Sequence, residues 1–342
     1  MTRELVFHIG TAKTGTTSIQ HTLASNREVL AKNGVLYPEL DLFAHNHRAT
    51  TYFFKKGYTK DRQLAAMVPP GVQGDAFSAG QIDKVVEQAS VSNASIIVLS
   101  NEVLNLPLDE YFASKLIEVM ERTGCKILKL VVYVRSSASW FISMVQQFLK
   151  NGRVISDSIP TINRAQTLIR TLNSFSKLLN VELSVRSFER SKLLNGDVVV
   201  DFIDVIGKSD LTLTKHRKNF NTSISSEAMI YLEEDNQGVP RNQEELALKK
   251  AKLNALHQYH RRNKNYTKPT PLDFVAQYIW HEDKSLITLR DTFGIEFSDV
   301  DYSFASDVLN LRKPDFNSLR YFCNYKEEYY EGLRTHMDQI FG

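Results

Sequence analysis

The sequence has little cysteine and no long apolar run. Its 342 residues include only two cysteines, Cys125 and Cys323, which lie far apart and lack metal-ligand spacing. This argues against a disulfide-rich fold or a cysteine-ligated zinc site, and it favours a reducing compartment. No apolar run approaches the roughly 20 residues that a membrane-spanning helix needs. We therefore expect no integral membrane segment.

The sequence also has no large excess of either charge. Lys and Arg total 42 against 39 for Asp and Glu, which gives a formal net charge of +3. This balance argues against general nucleic-acid binding but permits a local basic pocket for a small anionic ligand. The first apolar strand begins at Leu5, which leaves no room for a signal peptide, so we expect a cytoplasmic protein.

The most informative segment is ELVFHIGTAKTGTTSIQHTL, residues 4–23. Residues 5–9 are apolar and rich in β-formers, which predicts a buried strand. Residues 10–17 are small or hydroxylic apart from one lysine, Lys13, and a helical apolar pattern begins at Thr16. In a strand–loop–helix unit, the free N–H groups of the first helical turn and the positive end of the helix dipole face the loop. The segment therefore predicts a P-loop-like phosphate-binding loop.

The position of the lysine sets this loop apart from the nucleoside-triphosphate loop GxxxxGK[ST], in which lysine directly follows the second glycine. Here Gly10 and Gly15 have that spacing, but two threonines follow Gly15 and Lys13 precedes it. The order Lys-Thr-Gly-Thr-Thr resembles the 5′-phosphosulfate loop of sulfotransferases that use 3′-phosphoadenosine 5′-phosphosulfate (PAPS). The resemblance implies a catalytic Lys13 and donor binding by Lys13, Thr14, Gly15, Thr16, Thr17 and Ser18.

A second informative segment is KLVVYVRSSASWFISMVQQ, residues 129–147. Arg135 follows a long apolar strand, and Ser143 comes eight residues later on a predicted helix. Ligands of open α/β sheets bind beyond the carboxyl ends of the strands, so we expect Arg135 near the loop. An arginine in this place is often a surface ion-pair partner, but its planar fork also suits a phosphate dianion. The spacing resembles the 3′-phosphate-binding segment of the same family, which implies that Arg135 and Ser143 bind the donor. The family also carries a late basic loop, for which Arg217 and Lys218 are the candidates.

Transfer to a hydroxyl group needs a general base, and Glu102 is the main candidate. It follows the second apolar strand, so we expect it at the same edge of the sheet as the loop. A base that acts near neutral pH must be partly desolvated, because burial raises the pKa of a carboxyl group. The alternatives are a structural role for Glu102, with His45 or His47 of the long segment 39–80 as the base.

Strands and helices alternate over residues 1–210, and the strands are nearly continuous in apolar residues. This pattern predicts a doubly wound parallel α/β domain, followed by a mainly helical region over residues 211–342. Together with the resemblance, it leads us to expect a sulfotransferase that moves a sulfuryl group from PAPS to a carbohydrate hydroxyl, without a metal or a nucleic-acid partner. The alternatives are a P-loop nucleotide kinase or NTPase, and a binding module that lacks turnover.

Overall fold

The structure is a computed structural model, and it describes residues 2–55, 62–104, 109–157, 159–162, 165–214, 223–236, 238–240, 242–307 and 309–342. The chain divides into two compact units that alternate along the sequence, whereas the sequence predicts a single boundary near residue 210. The first unit comprises Met1–Arg135, Gln166–Phe220 and Leu289–Phe297, and the second comprises Ser136–Ala165, Asn221–Thr288 and Ser298–Gly342.

The first unit contains a five-stranded sheet. Its strands are β1 (Arg3–His8), β2 (Val35–Leu36), β3 (Ile96–Ser100), β4 (Cys125–Val134) and β5 (Glu182–Ser187). They lie in the order β2-β3-β1-β4-β5, and every neighbouring pair is parallel. This confirms the predicted doubly wound parallel α/β fold.

The burial of the central strands explains why their sequences are continuously apolar. Leu5, Val6 and Phe7 of β1 are fully buried, and every residue of β3 is buried. In a parallel sheet the crossover helices cover both faces, so both sets of alternating side chains must be apolar. His8 at the end of β1 is in register with Ser100 at the end of β3. The segments that follow these two strands therefore leave the sheet at the same edge.

The described residues also form fifteen α-helices. They are α1 (Thr16–Ser25), α2 (Arg27–Lys32), α3 (Thr51–Phe54), α4 (Arg62–Ala65), α5 (Gly74–Ser90), α6 (Glu110–Thr123), α7 (Ser137–Lys150), α8 (Ala165–Leu178), α9 (Val198–Val205), α10 (Ser226–Asp235), α11 (Gln243–Arg262), α12 (Asp273–Glu282), α13 (Ser285–Phe293), α14 (Tyr302–Ser306) and α15 (Glu327–Phe341). None of them combines the length and the apolarity that a helix needs to cross a bilayer.

The second unit is helical, and its core forms around α7. The apolar face of this helix buries Phe141, Val145 and Leu149 in a cluster to which α10, α12 and α15 also contribute. Pro271, two residues before α12 begins, forms an antiparallel bridge with Cys323, a tertiary contact that local sequence does not reveal.

Candidate phosphate-binding site

The loop between β1 and α1 has an unusual backbone. Lys13 has a φ of 69° and Gly15 a φ of 78°, so two left-handed residues flank Thr14. Alternating backbone handedness turns successive N–H groups toward one side and forms an anion-binding concavity. Helix α1 then starts at Thr16 with no side chain capping its N-terminus and no acidic residue in its first turn. The first-turn N–H groups of α1 are therefore suited to an anionic ligand.

Threonine side chains fix the shape of this loop. The Thr11 hydroxyl donates to the backbone oxygen of Tyr133 on β4 at 2.8 Å, which ties the loop to the neighbouring strand. The Thr14 hydroxyl donates to the backbone oxygen of Thr11 at 2.7 Å, and Thr14 is almost fully buried. The Thr14 hydroxyl is thus used inside the loop, and its backbone N–H is the group left for a ligand.

Gly15 has two independent reasons to be glycine. Its positive φ disfavours a residue with a side chain, and a Cβ at this position would lie 2.8 Å from both Phe188 and Val198. The loop can approach α9 and the segment after β5 this closely only because Gly15 has no side chain.

We expect Gly15→Ala to destabilise the protein by about 2 kcal/mol more than Gly71→Ala. Gly71 has a similar φ of 81° but no atom within 4 Å of an added Cβ, so its variant pays only the left-handed strain of about 1–2 kcal/mol. Gly15→Ala adds overpacking against Phe188 and Val198. Urea unfolding of both variants measures the difference, and equal losses in the free energy of unfolding would contradict the packing argument.

Two cations and a carboxylate gather at this edge of the first unit. Burial lowers the pKa of the half-buried Lys13, the nearby Arg135 cation lowers it further, and the Glu102 carboxylate opposes both effects. Arg135 donates a long hydrogen bond of 3.4 Å to the backbone oxygen of Lys13, and its guanidinium lies 6.0 Å from the centroid of the Phe188 ring. Because the two cations repel each other, a bound anion would relieve the repulsion.

Glu102 lies beside the loop, as its position after β3 predicts. A Cβ added to Gly10 would lie 3.1 Å from the Cβ of Glu102. The preceding Asn101 is buried, and its amide donates to the Thr51 hydroxyl and to the backbone oxygen of His47, both at 3.1 Å. The side chain of Glu102 is exposed.

The two histidines that could replace Glu102 as the base differ in their burial and in their ring contacts. His47 is buried, its Nδ1 accepts the Ser100 N–H at 2.9 Å, and its Nε2 donates to the Pro38 backbone oxygen at 3.0 Å. Burial lowers the pKa of His47 to about 4, so this ring is a structural element with both nitrogens occupied. His45 is half-buried and stacks on His21 with a centroid distance of 4.0 Å. His45 is thus the histidine alternative to Glu102.

The resemblance predicts three further donor-binding residues, Ser143, Arg217 and Lys218. Ser143 is half-buried on α7, in the second unit. Arg217 and Lys218 lie outside the residues that the structure describes. The predicted donor contacts of these three residues stay predictions. Among the described residues, no group of three or more His, Cys, Asp or Glu side chains is arranged to hold a metal ion.

Comparisons with known proteins add no evidence about the function of this site. No protein-family model matches the sequence. No curated protein matches it. Among solved structures, the chain is similar to one from the PezAT chromosomal toxin-antitoxin system of the human pathogen Streptococcus pneumoniae, with 12% sequence identity and a TM-score of 0.31. That match covers 75% of this chain and 88% of the other, and a likeness this weak supports no argument about function.

A buried polar cluster formed by β4, β5 and α9 supports the loop, and the sequence analysis did not predict it. Asp201 on α9 is fully buried and accepts hydrogen bonds from the Tyr133 hydroxyl at 2.7 Å, from Arg186 at 2.6 Å and from the Leu194 N–H at 3.0 Å. Tyr133 is also the residue whose backbone oxygen holds Thr11. The sequence feature that could have revealed this cluster is Asp201, the single acidic residue in the apolar run VVVDFI, because a buried carboxylate needs hydrogen-bond partners.

Proposed function

We propose that this protein is a PAPS-dependent sulfotransferase of the cytoplasm that transfers a sulfuryl group to a carbohydrate hydroxyl. The observation that carries the proposal is the place of Lys13: a half-buried ammonium in a left-handed loop position, two residues before Gly15 and electrostatically coupled to Arg135. The preference for a carbohydrate depends on the family resemblance and on Glu102 as an acidic base.

The residues of the site fit an anionic donor. The N-terminus of α1 has no side-chain cap, its first turn carries no competing acid, and two cations lie at the same edge. Lys13 and the backbone N–H groups of residues 14–17 would hold the 5′-phosphosulfate. Arg135 would hold the 3′-phosphate with its planar fork. Ser143, Arg217 and Lys218 complete the predicted donor set.

In sulfuryl transfer, the acceptor oxygen bonds to sulfur, the bond from sulfur to the bridging phosphate oxygen breaks, and its electron pair stays on the phosphate. The protein does little covalent work, and its contribution is position and charge stabilisation. Lys13 would stabilise the negative charge that grows on the bridging oxygen. Glu102 would accept the proton that the acceptor hydroxyl loses.

A nucleotide kinase or NTPase is the second candidate, and one observation favours it. Glu102 lies next to Gly10 at the end of β3, where a carboxylate could also serve a magnesium-bound triphosphate. Against this reading, the lysine of a nucleoside-triphosphate loop follows the second glycine, whereas Lys13 precedes it. A binding module without turnover is the third candidate.

Calorimetry separates these candidates. We expect 3′-phosphoadenosine 5′-phosphate to bind without magnesium, and Arg135→Ala to weaken this binding about ten- to a hundredfold by removing charge-assisted hydrogen bonds. Arg122→Ala is the matched control, because α6 carries Arg122 just before β4 begins, at the opposite edge of the sheet.

Tight magnesium-dependent binding of ATP, with no binding of 3′-phosphoadenosine 5′-phosphate, would replace the sulfotransferase with a kinase or NTPase. Binding of the bisphosphate without sulfate transfer to any glycan in a broad panel would support the binding module.

A further inference from the structure

The second unit contains a cleft of about 410 Å³ that includes no residue of the phosphate-binding loop. It lies between the C-terminal end of α10 and the first half of α11. Val239, Pro240 and Leu248 form an apolar side, whereas Asn236 and Lys249 supply polar groups. Val239 is 57% exposed and Leu248 is 49% exposed, so this apolar side is open to a ligand.

The ammonium group of Lys249 is held in place by a neutral partner. Its Nζ donates to the Asn236 side-chain oxygen at 2.7 Å. The Asn236 amide donates in turn to the backbone oxygens of Leu149 at 2.9 Å and Arg153 at 3.1 Å, near the end of α7. A Cβ on Gly152 would lie 3.3 Å from this Nζ, so glycine leaves room for the amine. The lysine head is therefore positioned by built contacts.

The charge of Lys249 is not balanced by a direct ion pair. Asp235 lines the same cleft, but its carboxylate pairs with Lys252. Within the described part of the chain, no carboxylate forms an ion pair with Lys249. Burial lowers the pKa of Lys249 to about 8, with Asp235 opposing and Lys252 adding to the effect, so the amine stays mostly protonated at neutral pH. A half-buried ammonium group whose direct hydrogen-bond partner is neutral is a favourable place for an anion.

We propose that this cleft binds a small organic monoanion, whose carboxylate or sulfate-ester head accepts hydrogen bonds from Lys249. The apolar body of the ligand lies against Val239, Pro240 and Leu248. Among the described residues that line the cleft, Lys249 is the cation without an ion pair, and a single negative charge would match it. A second negative charge on the ligand would add repulsion from the Asp235 carboxylate, which lines the same cleft.

The test uses three probes of similar size on the full chain: phenylacetate, phenyl sulfate and the neutral phenylacetamide. We expect at least one of the two anions to bind at millimolar concentration or below in calorimetry, and phenylacetamide to bind about tenfold more weakly or not at all. The stronger anion identifies the preferred head group. Lys249→Met should weaken anion binding about ten- to a hundredfold, which corresponds to one charge-assisted hydrogen bond. Lys250→Met is the matched control, because Lys250 is the exposed neighbour on α11 and does not line the cleft.

A second measurement uses no substitution at all. Trace acetylation of the wild-type protein, followed by mass spectrometry, should show that the bound anion protects Lys249 but that phenylacetamide does not, with Lys250 as the internal reference. The proposal fails if neither anion binds, if the neutral probe binds as well as the anions, or if a folded Lys249→Met binds them unchanged. Lys13→Met should leave the protection of Lys249 unaltered, so the cleft and the proposed donor site are tested separately.

Discussion

Replacing Lys13 with methionine should lower the rate of sulfate transfer about 100-fold or more while the protein stays folded. Removing a group that stabilises charge only in the transition state costs about 3 kcal/mol of barrier. Methionine keeps most of the side-chain length, and the loss of the ammonium also removes its repulsion by Arg135. The measurement uses labelled PAPS with the best acceptor from a glycan panel, and mass spectrometry identifies the product.

Two further variants make this result specific. Lys126→Met removes an exposed lysine near the start of β4, at the opposite edge of the sheet, and should leave the rate unchanged. Glu102→Gln should keep donor binding but lower turnover, because an amide cannot accept the proton of the acceptor hydroxyl. If Lys13→Met transferred sulfate at the wild-type rate, Lys13 would have no catalytic role.

The sequence predicts the sheet and the loop because their determinants are local. Each central strand is buried on both faces, so the apolar runs at residues 5–9 and 96–99 mark parallel strands directly. The loop depends on conformations that its own residues allow, and the glycine at 15 indicates the left-handed turn found there. The left-handed φ of Lys13 could not be predicted, because lysine carries no local signal for it.

The features that the sequence did not predict depend on contacts between distant residues. His47 becomes a structural histidine because the Ser100 N–H, 53 residues later, donates to its ring. From sequence, His45 and His47 are two similar residues in one polar segment, and only tertiary contacts distinguish them. The bridge between Pro271 and Cys323 likewise joins residues that are far apart in the sequence.

Replacing Asp201 with asparagine should lower the free energy of unfolding by about 3 kcal/mol at pH 6. The carboxylate is fully buried, and its loss removes the direct ion-pair partner of Arg186 and weakens the acceptor for the Tyr133 hydroxyl. Breaking a buried ion pair by removing one partner costs about 3–5 kcal/mol. We expect the lower end because the Arg186 side chain is 36% exposed and regains water. Asp210→Asn, just after the same helix, is the control, since loss of this exposed carboxylate should cost about 0.5 kcal/mol or less.

The loss of stability in Asp201→Asn should depend on pH, and the pKa of Asp201 sets the direction of this dependence. Burial alone would raise the pKa of Asp201, but the hydrogen bonds from Arg186, Leu194 and Tyr133 outweigh it and hold the pKa below its usual range. A carboxyl group whose folded pKa is depressed stabilises the fold fully above its unfolded pKa of about 4, and this contribution is lost as the pH falls through the folded value. The stability difference between wild type and Asp201→Asn should therefore shrink as the pH is lowered from about 6 to about 2.5. Urea unfolding at both pH values measures it, and a difference that stays constant would mean that the Asp201 carboxylate does not stabilise the fold through its charge.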